Sequence, residues 1–320
     1  MRKKVTKLIA LCAALLLVAA SLAACGKSYT VDKVVMTYVP SPLNVPSVIE
    51  KEQGQFKAAF DDLGLDFEYS NLDSGADQTA ALASGDIQIL NAVGGASVIL
   101  AAANDSDIVI LSMYSRAPKA FAMYSKDGSI NSPKALKGKT IAGPKGTNLH
   151  ELLAAYLESG NMSMKDVDYV DMDIPSAVAA LEGGSVDAAL AGGPAAYNCE
   201  QSGMHKITDG EGLIAATICT ATSKKFADEN PEIISTFLKT QNDIVDYVSN
   251  DENRAEVFST VAKALDLKES AVKDMIGLYD FSTEITDKDL EQLQDAEKFL
   301  YNNKMIEKHV DVKELIYDTE

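Results

Sequence analysis

The stretch AALEGGSVDA at residues 179–188 decides the fold class, because it repeats the pattern of AALASGDIQI at residues 80–89. In both stretches a run of helix-forming residues ends at glycine, and residues typical of a β-strand follow. Both stretches then enter a glycine-rich turn, at residues 92–96 and at residues 191–195. Since a helix, a glycine and a strand in this order are common in α/β proteins, the likeness in letters does not by itself establish a duplication.

The alternation of strands and helices extends outward from these two stretches. Strands that alternate with helices of this length imply largely parallel sheets covered on both faces. After Lys224 the pattern is almost wholly helical, and Pro231 starts a long helix. The predicted strands are 34–39, 67–69, 87–91, 108–114, 120–124, 140–142, 167–170 and 186–190. The predicted helices are 45–60, 77–84, 96–103, 148–158, 176–181, 194–201, 231–249, 252–265, 269–279 and 286–302.

The chain of 320 residues has 29 Lys and Arg against 47 Asp and Glu, which gives a formal net charge of −18. This length fits one large or two ordinary domains, and 47% apolar residues are enough to build a core. The acidic balance argues against nucleic acid as a partner, because phosphate backbones require patches of Lys and Arg. Four basic residues precede residue 8, and the rest of the chain has a net charge of −22.

The N-terminus has the pattern of an export signal. Residues 1–7 are basic, residues 8–20 (LIALCAALLLVAA) are apolar, and Leu22-Ala23-Ala24-Cys25 follows. The uncharged run is about long enough to span a bilayer. However, the four residues that end at Cys25 resemble the bacterial lipobox, in which the cysteine is lipidated and becomes the first residue. This resemblance predicts a signal peptide over residues 1–24 and a lipidated Cys25 with a tether over residues 25–31.

Four strand-to-helix turns are the candidate ligand site, because ligands of open α/β sheets bind beyond the carboxyl ends of strands. The amides at a helix N-terminus are unpaired and partly positive, and glycine lets a ligand approach the backbone. The turns lie at residues 41–44, 92–96, 144–148 and 191–195. Converging from two lobes, they predict a cleft for a small polar or anionic ligand.

The sequence offers no motif for catalysis, for a metal ion or for a cofactor. The histidines are isolated, CxxC is absent, and Cys199 and Cys219 alone do not make a disulfide framework. Cys219 lies in an apolar run and is interpreted as a buried thiol, while its pairing with Cys199 is left open. GPKGT at residues 143–147 lacks the order of a phosphate-binding loop, and no GxSxG or strand-linked GxGxxG occurs.

Several stretches, taken in order, resemble those of periplasmic solute-binding proteins of the nitrate/sulfonate/taurine type, whose relatives include the NMT1/THI5-like proteins. ALKGKTIAGPKGT at residues 135–147 is similar to their LKGKxIAxxxGT stretch. VDAAL at residues 186–190, followed by Gly192-Gly193-Pro194, is similar to their VDAxxxxxP stretch. Many members have an acidic or aromatic residue where this chain has Gly193, so one cue to the ligand is missing. Further similar stretches are EQGQF at 52–56, FADENP at 226–231 and YDFS at 279–282.

The resemblance covers nearly all of residues 34–305 and implies an α/β protein with the two-lobed type II periplasmic-binding-protein fold. Each lobe would have a mostly parallel sheet flanked by helices, and the C-terminal region would be helical. By analogy, lobe 1 starts with residues 32–115, lobe 2 comprises residues 116–216, and residues 217–320 return to lobe 1 and add C-terminal helices. The crossovers would lie near residues 115–119 and 215–222, and the lobes would close like a hinged clamp.

The implied function is that of a lipid-anchored solute-binding protein of an ABC importer, on the extracytoplasmic face of the bacterial cell membrane. It would capture a small polar or anionic solute and act as a monomer with permease and ATPase subunits, without cofactor, metal or catalytic residues. Two alternatives on the same fold are a THI5-like pyrimidine-precursor enzyme, against which export argues, and a sensing or adhesion lipoprotein. The identity of the solute, for example a sulfonate, nitrate, a pyrimidine or an amino-acid-like acid, is left open.

Residues at the four turns and at the first crossover are the predicted ligand contacts. Tyr38 either stacks on the ligand or packs in the core, and Asn44 either contacts the ligand or only caps a helix. Arg116 is one of two arginines after the signal, and it either binds an anionic group bidentately or belongs to an ion pair. The predicted contacts are Tyr38, Ser41, Asn44, Gly94, Gly95, Ala96, Ser97, Ser115, Arg116, Gly146, Thr147, Asn148, Gly192, Gly193 and Pro194.

Overall fold

The computed structural model describes residues 29–72, 74–126 and 128–318. The predicted signal peptide and Cys25 lie outside the described residues, which form one compact unit from Lys33 onward. The strands are β1 Lys33–Thr37, β2 Asp66–Ser70, β3 Ile89–Gly94, β4 Val109–Arg116, β5 Phe121–Ser125, β6 Thr140–Gly143, β7 Asp168–Asp171, β8 Ala188–Gly192, β9 His205–Asp209 and β10 Thr217–Thr222. The α-helices are α1 Val45–Gln53, α2 Gln55–Asp61, α3 Gly75–Ser84, α4 Gly95–Ala103, α5 Asn148–Ser159, α6 Ile174–Gly183, α7 Gly193–Gln201, α8 Lys224–Glu229, α9 Pro231–Ser249, α10 Arg254–Ala264, α11 Glu269–Ile276 and α12 Asp287–Asn302.

The strands form two five-stranded sheets with the same topology. The first sheet has the order β2-β1-β3-β10-β4, and the second has the order β7-β6-β8-β5-β9. In each sheet four strands run in one direction, and the fifth strand, β10 or β5, is antiparallel to its neighbours. Each reversed strand follows a crossing from the other sheet, since the chain crosses between Arg116 and Phe121 and returns between Asp209 and Thr217. The predicted fold class, with two largely parallel sheets flanked by helices, is confirmed.

The two stretches that decide the fold class form equivalent units. Gly85 ends α3 and Gly184 ends α6, both in the left-handed region with φ of 83° and 74°. Glycine adopts this conformation without the strain that a Cβ would cause, and it satisfies the last carbonyls of the helix. β3 and β8 follow in interior positions of their sheets, and each turns through glycine into the next helix.

Three elements differ from the prediction. The helix predicted over residues 45–60 is interrupted at Gly54, whose φ of 66° ends α1 before α2 begins. β9 is not predicted, because it is a short edge strand that is only partly buried and shows no alternation of apolar and polar residues. β10 is not predicted either. Thr217–Thr222 lies within the run interpreted as the second crossover, but this β-branched segment is a buried strand between β3 and β4.

The C-terminal helices bring the two sheets together on both sides of the turns. α12 packs against α4 beside the first sheet and against α5 beside the second sheet. α11 packs against α10 and against α7, which again belong to different sheets. None of the helices in the described ranges has both the length and the apolar character needed to cross a bilayer.

Both cysteines in the described ranges, Cys199 and Cys219, are buried and free. The interpretation of Cys219 as a buried thiol is therefore confirmed, and the pairing that the sequence leaves open is not formed. Burial raises the pKa of Cys199 to about 11 and that of Cys219 to about 12, so neither thiol has the depressed pKa of a reactive cysteine.

Candidate functional site

The four predicted turns lie at the carboxyl ends of neighbouring strands. β1 and β3 are adjacent in the first sheet and lead into α1 and α4. β6 and β8 are adjacent in the second sheet and lead into α5 and α7. Because parallel strands end at the same edge of a sheet, each sheet presents two turns side by side.

Contacts between the sheets join these turns in two pairs. Gly193, at the start of α7, lies so close to Pro42 that a Cβ at Gly193 would be 2.5 Å from the Pro42 Cβ and 2.8 Å from its carbonyl oxygen. Thr217 connects the other two turns. Asn148 Nδ2 donates a long hydrogen bond of 3.5 Å to the Thr217 carbonyl, and a Cβ at Gly95 would lie 2.9 Å from Thr217 Oγ1. The structure thus brings the four turns together, and glycine at two of them permits the close approach.

The helices that begin at the four turns have no side-chain cap. The N-cap residues Asn44, Gly94, Thr147 and Gly192 accept no hydrogen bond from the backbone of their helices. In contrast, α3 and α6 follow the outer strands β2 and β7 and are capped by Ser74 and Asp173. The uncapped starts of α4 and α5 therefore keep the amide donors that bind anions at helix N-termini, and α7 keeps those of Gly193 and Ala195, since Pro194 has no amide hydrogen.

The first turn does not supply such donors, which corrects the prediction for α1. The Val45 amide donates to the Leu43 carbonyl, Pro46 has no amide hydrogen, and the Ser47 amide donates to the Tyr114 hydroxyl at 3.0 Å. The turn is nevertheless held firmly, because buried Asn44 donates through Nδ2 to the carbonyls of residues 39 and 41 at 2.7 and 3.0 Å. Asn44 occupies the N-cap position, but its side chain braces the turn instead of capping the helix.

The other predicted residues of the first sheet differ in exposure. Ser41 is exposed, whereas Tyr38 is half-buried and has Lys51 Nζ 3.6 Å from the centre of its ring. Ser97 is half-buried and packs tightly against Gly75. Ser115 is buried, and its hydroxyl has no hydrogen-bond partner within the described residues. Such an orphaned hydroxyl is unusual in a protein interior and marks a polar position that a ligand or a water molecule can satisfy.

Arg116 is the clearest correction to the predicted site. Its Nε and one terminal nitrogen donate to the two carboxylate oxygens of Asp289, at 2.6 and 2.7 Å. Its remaining donors bind the carbonyl and hydroxyl of Ser282 and the carbonyl of Glu284. A guanidinium has five N–H donors, and all five are used here. Arg116 therefore fastens β4 to the segment before α12 and has no donor left for a ligand.

At the third turn, Thr147 Oγ1 donates to the Pro144 carbonyl at 2.8 Å, and the Gly146 amide donates to His150 Nδ1 at 3.2 Å. Burial, aided by the charge of Lys145, lowers the pKa of His150 to about 4, so the imidazole is neutral and accepts this bond. Burial and, secondarily, Asp295 on α12 raise the pKa of Glu151 to about 7. The carboxyl in the first turn of α5 is therefore partly protonated near neutral pH.

Glu50 and Asn91, which are not among the predicted site residues, form a buried pair behind the first two turns. Asn91 Nδ2 lies 3.0 and 3.2 Å from the two carboxyl oxygens of Glu50, and both residues are almost wholly buried. Burial raises the pKa of Glu50 well above its ordinary value, although the hydrogen bond from Asn91 opposes this shift. The uncharged acid is favoured, so Glu50 adds little negative charge behind the turns. Val48 and Ile49 precede Glu50 in the sequence, but its neighbours on the helix surface, Ser47 and Gln53, are polar, so the sequence gives no signal that Glu50 is buried.

Two residues that join the turns, Pro42 and Thr217, are not among the predicted contacts. Pro42 could have been found because it follows Ser41 in the sequence. Thr217 could not, because it is distant in sequence from Gly95 and Asn148, which it contacts in the fold. Within the described ranges, no cluster of three His, Cys, Asp or Glu side chains is arranged to hold a metal ion. Besides the exposed Lys145 side chain, these turns offer backbone N–H groups and small polar side chains, which suit capture of an anion.

Comparison with known proteins gives consistent similarities. The family described as "NMT1/THI5 like" matches residues 44–255 of the chain. A taurine-binding periplasmic protein of Escherichia coli (strain K12) is 29% identical over 228 residues, which are 70% of each chain. A putative aliphatic sulfonates-binding protein of Bacillus subtilis (strain 168) is 27% identical over 278 residues, which are 86% of this chain and 83% of that protein.

Among solved structures, the alkanesulfonate-binding protein SsuA from Xanthomonas axonopodis pv. citri, bound to MOPS, superposes with a TM-score of 0.81. The match covers 91% of this chain and 99% of that one at 20% identity. At this identity the similarity shows a shared fold, namely two lobes with a sheet in each.

Proposed function

The chain belongs to the NMT1/THI5-like family, and from this membership we propose that it is an extracytoplasmic solute-binding protein of an ABC importer. It captures a small anionic solute between the two sheets and delivers it to a permease. The Escherichia coli relative is named as a periplasmic taurine-binding protein, which supports the location, and both relatives are named as binding proteins, which supports the absence of a catalytic role.

The observation that carries this proposal is the set of uncapped N-termini of α4, α5 and α7. They come from both sheets, and cross-sheet contacts bring their turns together. Each terminus stabilises an anion by about 0.3–1 kcal/mol, and by more where water is excluded. The proposed contacts are the first-turn residues Gly94, Gly95, Ala96, Ser97, Gly146, Thr147, Asn148, Gly192, Gly193 and Pro194, with Tyr38, Ser41 and Ser115 nearby.

The proposed solute is a sulfonate with an aliphatic or aminoalkyl part. The names of the relatives support this class, because they specify taurine and aliphatic sulfonates. A sulfonate presents three acceptor oxygens, and these can be shared among donors that arrive from three helices. Domain boundaries at residues 32–115, 116–216 and 217–320 complete the proposal, with closure by bending at the two crossovers.

Lipid anchoring through Cys25 and action as a monomer with permease and ATPase subunits are further parts of the proposal. The lipobox-like LAAC before residue 26 supports the anchor. Labelling of the chain and of its Cys25→Ser variant with a radioactive fatty acid tests the anchor separately from solute binding. Absence of label from the chain, or equal label in the two, would refute the lipid anchor.

A thermal-shift screen tests the solute. We expect the chain without residues 1–25 to be stabilised by alkanesulfonates or taurine, because a solute at a hundred times its Kd adds about 2.7 kcal/mol. Primary alcohols and amines of equal chain length are the controls for the anionic group. No stabilisation by sulfonates, nitrate, pyrimidines or amino acids would refute solute binding, and stabilisation by the amine controls alone would refute an anionic solute.

A further inference from the structure

A cavity of about 550 Å³ lies in the C-terminal helical region, away from the four turns. It is bounded by the end of α9, the start of α10, the end of α11 and the segment over residues 279–282. Its volume is in the range of small-molecule sites, which are mostly apolar with a few polar groups. The apolar walls are formed by Val245, Val248, Val257, Phe258, Ile276 and Phe281.

Two cations stand at this cavity in a chain with a large acidic excess. Arg254 is 60% exposed and pairs only locally with Asp251, three residues before it. Lys273 is exposed and forms no ion pair within the described part of the chain. Asp280 also borders the cavity, but its carboxylate lies 3.9 Å from an Arg116 nitrogen. The mouth therefore combines an apolar interior with at least one uncompensated positive charge.

Tyr279 adds an aromatic ring to the wall. Its hydroxyl is buried away from the open space of the cavity and has no hydrogen-bond partner among the described residues. The Tyr279 ring stacks on Phe281, with centroids 5.6 Å apart and planes 8° from parallel.

We propose that this cavity is a second small-molecule site, for an amphipathic anion whose apolar part lies among α9, α10 and α11 and whose headgroup meets Lys273 and Arg254. This site is separate from the turns, so the proposal does not depend on the solute-binding function. The chemical class is an alkyl chain that ends in a carboxylate, sulfonate or similar singly charged group.

The wall of this cavity is connected to the first crossover. The Arg116 amide donates to the Asp280 carbonyl at 2.8 Å, and the Asp280 amide donates to the Arg116 carbonyl at 2.9 Å. Phe281 meets the ring of Tyr114 edge to face, and the Tyr114 hydroxyl accepts from the Ser47 amide in α1. A ligand that displaces residues 279–282 therefore acts on the crossover and on the first turn.

The chain contains no tryptophan, so Phe258→Trp places a single fluorescent reporter in the cavity wall. The probe is decanoate, and decanol is the uncharged control of equal chain length. We expect a saturable change in Trp fluorescence with decanoate and a much weaker response to decanol. Lys273→Glu should weaken decanoate binding at least about fivefold, because it replaces attraction by repulsion. The matched control is Lys268→Glu, which makes the same charge reversal at the N-cap of α11, the helix that carries Lys273. Lys268 lies outside the cavity, so this variant should bind decanoate as tightly as the unsubstituted chain.

The proposal is refuted by a response that does not saturate, by an equal response to decanol, or by equal affinities in the two lysine variants. Should Phe258→Trp fail to fold, calorimetry on the unsubstituted chain and the two lysine variants gives the same comparison. Titrations of decanoate at rising fixed concentrations of the solute found by the thermal-shift screen should show an unchanged Kd or a change that reaches a plateau, as coupled separate sites do. A decanoate Kd that rises in proportion to the solute without limit would refute a separate site. If no compound in the thermal-shift screen stabilises the protein, the proposed transport function is refuted, but the measurement of decanoate binding is unaffected.

Discussion

Closure of the two lobes can be tested at the contact between Gly193 and Pro42, because the substitution Gly193→Ala adds a single methyl group there. In Gly193→Ala the new Cβ would lie 2.5, 2.8 and 2.9 Å from Pro42 atoms, two of which belong to the backbone. Such overlap requires the turns to move apart, and overpacking of this kind costs about 1–3 kcal/mol. The cost arises only when the two turns meet. Because alanine keeps the backbone amide, a direct contact between that amide and the solute is preserved.

The size of the effect follows from coupling between closure and binding. If solute binds the closed form, a penalty of about 1–3 kcal/mol on closure weakens binding roughly 5- to 150-fold. Gly193 has φ of 54°, so alanine there also incurs the strain of the left-handed region, about 1–2 kcal/mol. This strain is present whether the turns are in contact or apart, and it lowers the free energy of unfolding without weakening binding.

Gly184→Ala is the matched control. Gly184 has φ of 74° at the end of α6, and the nearest atom to a Cβ there is Lys126 Nζ at 3.9 Å. Without solute, the melting temperature should fall by similar amounts in both variants. Calorimetry with the solute should show a large rise in Kd only for Gly193→Ala. An unchanged Kd in Gly193→Ala, or an equal rise in both variants, would show that this contact does not form part of closure.

Three further predictions concern the interior. Arg116→Ala should lower the free energy of unfolding in urea by about 3–5 kcal/mol, because it leaves the buried Asp289 carboxylate unpaired; a loss below about 1 kcal/mol would contradict the ion pair. Burial raises the pKa of Glu151 to about 7, so its stabilising effect is complete below its unfolded pKa of about 4.3 and is lost as the pH rises through 7. About 2 kcal/mol of the stability that the chain loses between about pH 5 and pH 7 should be absent in Glu151→Gln, and parallel pH profiles would contradict this assignment. A thiol assay in denaturant without reductant, on the chain without residues 1–25, should find Cys199 and Cys219 both free and much slower to react in the folded protein, whereas no thiol would indicate a disulfide.

The sequence predicts those parts of the fold in which the conformation of a residue is set by its neighbours along the chain. Gly85 and Gly184 mark helix ends because the left-handed conformation closes those helices, and the bounds of the strands that follow lie within three residues of the prediction. Gly54 carried the same signal, yet the apolar spacing around it favoured one continuous helix. β10 escapes prediction for the opposite reason, since its place between β3 and β4 is set by strands more than a hundred residues earlier.

The candidate site shows the same limit. The positions of the turns are predictable, because strand-to-helix turns with glycine have a local sequence pattern. Whether the backbone amides at each turn are free to bind a ligand is not predictable. Whether a helix start keeps its amides depends on distant side chains, as Tyr114 shows by accepting from Ser47. Arg116 suggested an anion partner by its rarity, although its acceptors lie 166 to 173 residues further along the chain. Rarity indicates that a residue matters without indicating whether it binds ligand or holds the fold.

Removing Arg116 and α1 from the site changes which solute the remaining groups favour. Three helix N-termini at about 0.3–1 kcal/mol each supply at most about 3 kcal/mol at the surface, whereas micromolar binding requires about 8 kcal/mol. The difference must come from exclusion of water, from contacts with the uncharged part of the solute and from Lys145, whose exposed side chain is the one charged group within the four turns. Nitrate has no such part, so we expect it to stabilise the protein much less than an alkanesulfonate or taurine at the same concentration. Equal stabilisation by nitrate would mean that the headgroup alone provides the affinity, and that the turns hold more strongly polarising donors than their helix termini supply.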